Sequence, residues 1–214
     1  MTTYNDQVSS YISSLFAIED EHLLRARQDS PRYGLPEINI QPEEGRFLQF
    51  LACASGAKKA VEIGTLGGYS GIWIARGLHP GGKLITIEKE AKHADIAQKH
   101  FKAAGLGEVI EVRVGNAHRI LTELRKESPF DFVFIDADKP GYPAYFDWAA
   151  EYVRTGGIIA AHNAFRHGTV AGIGEDDDHS ELMRQFNQQI ANRPNFISTI
   201  FPTGDGTLIA VKSG

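Results

Sequence analysis

The sequence predicts an α/β fold built on a doubly wound, mostly parallel seven-stranded sheet, and three observations support this. From residue 57 onward, β-rich runs and helical runs alternate strictly, which is the pattern of right-handed βαβ units. The last two β-rich runs are separated only by a short turn around Gly204, Asp205 and Gly206, so they form an antiparallel hairpin that closes the sheet. Before the alternation begins, apolar residues recur at helical spacing, placing helices N-terminal to the sheet. A chain of 214 residues, 42% hydrophobic and 23% charged, suits one sizeable core and is short for two. The expected organisation is a single domain over 1–214, with N-terminal helices and a covering loop in 1–56 and the core in 57–214.

In chain order, Val8, Tyr11, Ile12, Leu15 and Phe16, then Leu23 and Leu24, mark one or two amphipathic helices. Pro31, Pro36 and Pro42 in "SPRYGLPEINIQPEEG" break them and predict an extended, lid-like loop. A helix restarts through "IQPEEGRFLQFLACAS". The alternation then runs "KAVEIGT" (strand), "YSGIWIARGL" (helix), "GKLITIE" (strand), "KEAKHADIAQKHFKAAG" (helix), "VIEVRVG" (strand), "AHRILTELRKE" (helix) and "FDFVFIDA" (strand). After these come "YPAYFDWAAEYV" as a helix, "GGIIAAHN" as the fifth strand, "SELMRQFNQQIANR" as a helix, and the hairpin strands "FISTIFPTG" and "GTLIAVK". "GIGEDDDHS" is expected to be a solvated loop. Cys53, the one cysteine, has apolar neighbours and reads as a small core residue rather than a nucleophile.

The formal charge of −5 and the lack of any basic run argue against a broad nucleic-acid footprint. No uncharged apolar run approaches the ~18 residues of a membrane span, and the first residues lack the basic-then-apolar pattern of a secretion signal. A cytoplasmic protein is expected.

The strongest local signal is "VEIGTLGGYSG". It follows a strand and opens a helix, so its glycines let a ligand approach the backbone and the free N–H groups of the helix start. A dinucleotide site wants G-x-G-x-x-G, whereas this run begins E-x-G, and Glu62 would set negative charge beside a pyrophosphate. An acidic strand end suits a cationic ligand, and S-adenosylmethionine (SAM) carries a sulfonium and an ammonium. Candidate cofactor contacts are Glu62, Gly64, Gly68 and Ser70. Glu88, 24 residues after Gly64, ends the second strand where an acid accepts from a ribose diol. Asn116 and Ala117 follow the third strand, where Asn116 either meets the adenine edge or caps the next helix.

"VEIGTLGGYSGIWIA", the acidic end of "ITIE", "FDFVFIDADKPGY" and "GGIIAAHNAFRHG" together resemble the class I SAM-dependent methyltransferases with a Rossmann-like core. Specifically, they resemble the cation-dependent O-methyltransferases related to the caffeoyl-CoA and catechol enzymes, over nearly the whole chain. The resemblance implies that Asp136 touches the cofactor edge and ligates a metal, with Asp138 in support. It also implies that Lys139 is the base that takes the acceptor's hydroxyl proton. A divalent cation binding two vicinal oxygens of a phenol-like acceptor would lower their pKa and orient one toward the sulfonium methyl.

In that family the fifth strand normally ends in Asp-Asn, but here it ends in His162-Asn163. Imidazole exchanges a hard oxygen for a nitrogen that favours zinc, iron, cobalt, nickel or copper over magnesium. Three readings stay open: His162 ligates a transition metal with Asp136 and Asn163; it is a general base in a site with weak metal dependence; or it is a locally satisfied histidine in a poorly active site. His167 is expected to face solvent.

The resemblance places the acceptor under "RYGLPEINIQPEEG" and "FRHGTVAGIGEDDDHS", with Tyr33, Ile38, Trp148 and Phe165 as candidate contacts. The expected acceptor is a hydroxylated, catechol-like small molecule. A wobble hydroxyuridine of transfer RNA is the alternative, with Arg25, Arg27 and Arg32 as a phosphate patch. A cofactor-binding module without chemistry and a nicotinamide dehydrogenase rank lower, the last because the turn lacks the phosphate fingerprint. A homodimer is expected from the apolar surplus of the first helix.

Overall fold

A computed structural model describes residues 4–214. Three helices, α1 (Asp6–Phe16), α2 (Glu21–Arg32) and α3 (Pro42–Ala54), precede the alternation β1 (Lys59–Ile63), α4 (Tyr69–Gly77), β2 (Lys83–Glu88), α5 (Ala91–Ala103), β3 (Ile110–Val114), α6 (Ala117–Leu124) and β4 (Phe130–Ile135). It continues with α7 (Tyr142–Tyr152), β5 (Val153–Ala161), α8 (Ser180–Ala191), β6 (Phe196–Phe201) and β7 (Thr207–Lys212). The seven strands lie in the order β3-β2-β1-β4-β5-β7-β6. Pairing is parallel from β3 through β5, and β7 enters antiparallel between β5 and β6.

The period-2 alternation of the strands explains the three layers. Val61 and Ile63, Val133 and Ile135, and Ile159 and Ala161 point to one face, where α6, α7 and α8 cover them with Leu121, Leu124, Phe146 and Phe186. Ala60, Phe132, Phe134, Ile158 and Ala160 point to the other, against Leu23, Leu48, Trp73 and Phe101 of α2, α3, α4 and α5. Because β1 and β4 are central and parallel, their C-terminal ends open onto one crevice, the position where open α/β sheets hold ligands.

Three sequence expectations are corrected in detail. Pro31 does not break α2 but sits in its last turn, and the stop comes at Gly34, whose φ of 73° allows a Schellman closure (Leu35 N–H to Ser30 O, Gly34 N–H to Pro31 O). Strand β5 begins at Val153 and ends at Ala161, before His162. Cys53 is exposed, because α3 buries Leu48, Leu51 and Ala52 and so turns residue 53 outward. The acidic 172–178 segment is exposed, as expected.

Helix α1 buries no residue fully. It is held from below by Glu43, whose carboxylate accepts from the Tyr4, Ser9 and Ser13 hydroxyls. Tyr11, Leu15 and Phe16 of this helix are exposed, as are Ile18 and Phe50. Among the described residues no helix is long and apolar enough to cross a membrane.

Candidate active site

The turn after β1 starts at Gly64 with φ 100°, and a Cβ there would lie 2.0 Å from the Asp136 carbonyl oxygen. Only glycine lets β1 and β4 end side by side. The turn is stitched to β2 by Glu88, which accepts from Leu66 N–H at 2.8 Å, Thr65 N–H at 3.2 Å and Glu90 N–H at 3.0 Å. A cavity of about 1140 Å³ runs from here across the strand ends, lined by Gly64, Ser70, Glu88, Asn116, Ala117, Asp136, Lys139, His162 and Asn163 among others. Of the expected acceptor contacts, Ile38 and Phe165 line it. Trp148 does not: it is buried in the core with its indole N–H on the Leu121 carbonyl. Tyr33 is exposed just past α2, outside the lining.

Glu62 and Gly68 stand behind the wall rather than on it. Gly68 packs on Phe101, where a Cβ would meet the ring at 2.6 Å. Glu62 is fully buried and accepts from Ser70 Oγ at 2.5 Å and Thr86 Oγ1 at 2.7 Å. Burial pushes its carboxyl up to about 7, against those two hydrogen bonds. Protons are therefore held more tightly in the folded chain than in the unfolded one between about 4.5 and 7, so stability falls as pH rises through that window. The Glu62→Gln variant has no such loss, and its melting temperature relative to the parent is expected to climb from pH 4.5 to 7 and then level off. A difference that is flat with pH would contradict this account. Asn116 takes the capping option, accepting from Arg119 N–H at 3.2 Å, and also lines the cavity.

At the β4 end, Asp136 is followed by a tight helical turn, Lys139–Gly141, which Asp138 caps through Gly141 N–H. The turn aims Lys139 back across the strand end. Its Nζ donates to Tyr142 Oη at 2.7 Å and to Ala137 O at 3.2 Å, and stands 3.5 Å from Asp136 Oδ1. Burial lowers the ammonium pKa, partly opposed by Asp136. Tyr142 in turn donates to the His162 carbonyl at 3.0 Å, tying β4's turn to the end of β5.

His162 is buried between two carboxylates. Its Nε2 is 3.0 Å from Glu44 Oε1 and its Nδ1 is 3.4 Å from Asp136 Oδ2. Burial works against a charged ring, but Asp136 and then Glu44 outweigh it and raise the imidazole to about 10. Asp136 is held below the usual carboxylate range despite its burial, chiefly by His162 and then Lys139. Asn163, at φ 58°, donates its amide N–H to Asp205 Oδ2 at 2.9 Å. His167 is exposed, and its backbone N–H is held by Asp205 Oδ1.

His162 Nδ1 and Asp136 Oδ2, 3.4 Å apart, are the two halves of an ion pair, and Lys139 Nζ stands 3.5 Å from the other oxygen of the same carboxylate. Among the described residues no three His, Cys, Asp or Glu side chains converge on a position that could hold a metal. The residue that sequence reading missed is Glu44. It lies on α3, 118 positions from His162, and its only local signal is an acidic pair at a helix start.

With this geometry in view, the relatives are informative. Residues 11–213 match the O-methyltransferase family. The chain belongs to that family. Among curated proteins, a catechol O-methyltransferase from Niastella koreensis is 42% identical over 91% of this chain and 89% of its own length. A catechol O-methyltransferase from Mycobacterium tuberculosis is 37% identical over 92% and 88%. Among solved structures, an O-methyltransferase from Bacillus cereus in complex with SAH superposes with a TM-score of 0.89 at 40% identity, covering 97% of both chains. The O-methyltransferase TomG from Streptomyces achromogenes, in complex with SAM, gives 0.86 at 37% identity, covering 97% and 96%. The fold is shared over nearly the whole chain with both solved structures.

Proposed function

We propose that this O-methyltransferase moves the methyl group of SAM to a hydroxyl of a catechol-like or other hydroxylated aromatic small molecule. The observation that carries the reading is the cavity lined from Glu88 to His162, with Lys139 in its wall beside Asp136. The Glu88 end takes the nucleoside: the carboxylate accepts from the ribose, and the Asn116–Ala117 corner faces the base. Gly64 and Ser70 lie against the amino-acid portion, with the buried Glu62 carboxyl behind them holding the Ser70 hydroxyl. Residues 1–56 contribute the acceptor cover and 57–214 the catalytic core.

Lys139 is the base. Burial lowers its pKa below that of a free lysine, which favours the proton-accepting amine, and Tyr142 and Asp136 fix its direction. It takes the hydroxyl proton as the oxygen attacks the methyl carbon in line with the departing sulfur. Were a divalent cation bound, Asp136, His162 and Asn163 would hold it, and it would supply Lewis-acid chemistry that lowers the hydroxyl pKa. Ile38 and Phe165 bracket a planar ring.

The acceptor of the alternative reading is less well served. Arg25, Arg27 and Arg32 are each paired with an acid of their own, Glu21, Glu19 and Asp29, so no free phosphate patch is offered there. The exposed apolar face of α1 supports a homodimer, and the lack of any long apolar helix among the described residues is in keeping with a cytoplasmic enzyme.

The test is methyl transfer from SAM to a catechol panel after chelation, with magnesium, manganese, zinc, cobalt or iron added back, comparing the parent with His162→Asp. Restoration by a transition metal in the parent and a shift toward magnesium in the variant are expected. Chelator-resistant turnover that is lost in both His162→Asp and His162→Ala would instead make His162 a metal-independent base. Absence of turnover with SAM still bound would redirect the search to transfer RNA.

A further inference from the structure

The proposed reaction leaves one cation of the cavity without a role, Arg166. It is half-buried and lines the cavity next to Phe165, on the segment expected to cover the acceptor. The acids in this half of the cavity, Asp136, Asp138, Glu44 and Asp205, each accept from N–H or O–H groups of the protein, which leaves the exposed Glu37 on the covering loop. Lys139 likewise has three acceptors for the three N–H groups of an ammonium. Arg166 differs. It gives its Nε–H and one Nη2–H to the two oxygens of Asp177, and its Nη1 has no partner among the described residues. A guanidinium carries five N–H groups in a rigid fork, so the Nη1–Nη2 edge keeps one N–H on each nitrogen, parallel and unspent.

That edge is held still. Asp177 is fixed at the start of α8, accepting from His179 N–H and from Ser180 Oγ at 2.9 Å each, and the Arg166 carbonyl accepts from Thr169 Oγ1 at 2.9 Å. Arg166 has a φ of 46°, a left-handed conformation that a non-glycine residue keeps only where its surroundings impose it. Its charge is also felt at Lys139, where it helps to lower the ammonium pKa, so the fork lies within electrostatic reach of the reacting end.

We propose that Arg166 is a specificity-determining residue whose free edge binds a carboxylate on the acceptor, so that the preferred substrate is a hydroxylated aromatic acid. This rests on the methyl-transfer reading given under the proposed function. The two oxygens of a carboxylate match the two parallel N–H groups, and the pair forms without unmaking the Asp177 contact. With Phe165 against the ring, the adjacent Arg166 takes the substituent and leaves the hydroxyls to the Lys139 side. A catechol bearing an ammonium finds only donors on the fork and is repelled by its charge.

The experiment measures SAM-dependent methylation of 3,4-dihydroxybenzoate, its methyl ester and dopamine by the full chain, with SAM affinity taken on the same samples. Acid and ester carry the same ring and hydroxyls and differ in charge. In the parent, kcat/KM for the acid is expected to exceed that for the ester by about 10–100-fold, the range of a hydrogen bond to a charged group, mainly through KM, with dopamine below the ester. Arg166→Gln removes the charged fork and is expected to bring the acid-to-ester ratio to within about twofold of one. SAM affinity close to the parent's reports that the variant is folded. Ester or dopamine turned over by the parent at least as well as the acid overturns the proposal, with no variant needed. So does an Arg166→Gln variant in which acid and ester fall alike, which makes Arg166 an anchor of its segment alone. A parent that binds SAM and methylates none of the three rejects the acceptor reading itself, and the proposal with it.

Discussion

Replacing Lys139 with methionine is expected to lower kcat for methyl transfer by about 10²–10⁴ while leaving SAM affinity within about twofold. Methionine is unbranched and apolar like the lysine stem, with a thioether sulfur in place of one methylene and no amine, so the buried turn at Lys139–Gly141 stays packed. The nitrogen is what touches Tyr142, Ala137 and Asp136. Its loss takes away the one group in the cavity whose pKa is lowered from a strongly basic value by burial. Stopped-flow or single-turnover assays across pH 6–10 decide the point. If the amine is the base, the parent's rate rises with pH through the lysine's titration and the variant's does not. A variant with near-parental kcat would pass the role of base to His162.

The second large effect is expected from Gly64→Ala. A methyl group at this position would sit 2.0 Å from a backbone oxygen, on a residue with φ 100°, so neither a rotamer change nor a neighbouring side chain can relieve the overlap. Left-handed backbone strain and overpacking cost about 1–3 kcal/mol each, and together they lower the melting temperature by roughly 5–20 °C for a chain of this size. The β1–β4 ends must separate, so SAM binding should be lost along with stability. Calorimetry and SAM titration measure both. A variant that melts within about 2 °C of the parent and binds SAM would show that the strand ends have slack that the structure does not suggest.

Much of this architecture was legible in the residues because local signals and global fold agree. Strands such as "FVFI" alternate cleanly into two faces, and Gly64 and Gly68 announce the turn. Asp136, Lys139, His162 and Asn163 sit at strand ends, where sequence position alone predicts exposure to a ligand. What was not legible depends on contacts across long separations. Glu44 looks like a helix-starting acid, since nothing within a few residues reveals a histidine 118 positions away. Trp148 and Tyr33 were candidates for aromatic contact because aromatics suit planar ligands, but Trp148 is core because α7 turns that face onto α6 and the sheet. Cys53 shows the same limit at a smaller scale, for its neighbours are apolar but the helical turn places it outside. Glu62 is expected to meet the cofactor, and the structure places it buried on Ser70 and Thr86 behind the cavity lining.

Asp205 has a bearing on how such enzymes can be re-engineered. From the turn between β6 and β7 it grips the Asn163 amide and the His167 N–H, while the Gly206 and Asp205 carbonyls accept from Ala164 and Phe165. These four bonds span a stretch in which Asn163, Arg166 and His167 have φ values of 58°, 46° and 55°, conformations that non-glycine residues do not hold unaided. The segment behind the acceptor cavity and the distant hairpin tip are thus one cassette written in two places along the chain. A graft that swaps residues 163–173 for those of a relative with a different acceptor would need to bring that relative's 202–207 equivalent with it; moved alone, the loop arrives without the clasp that gives it a shape.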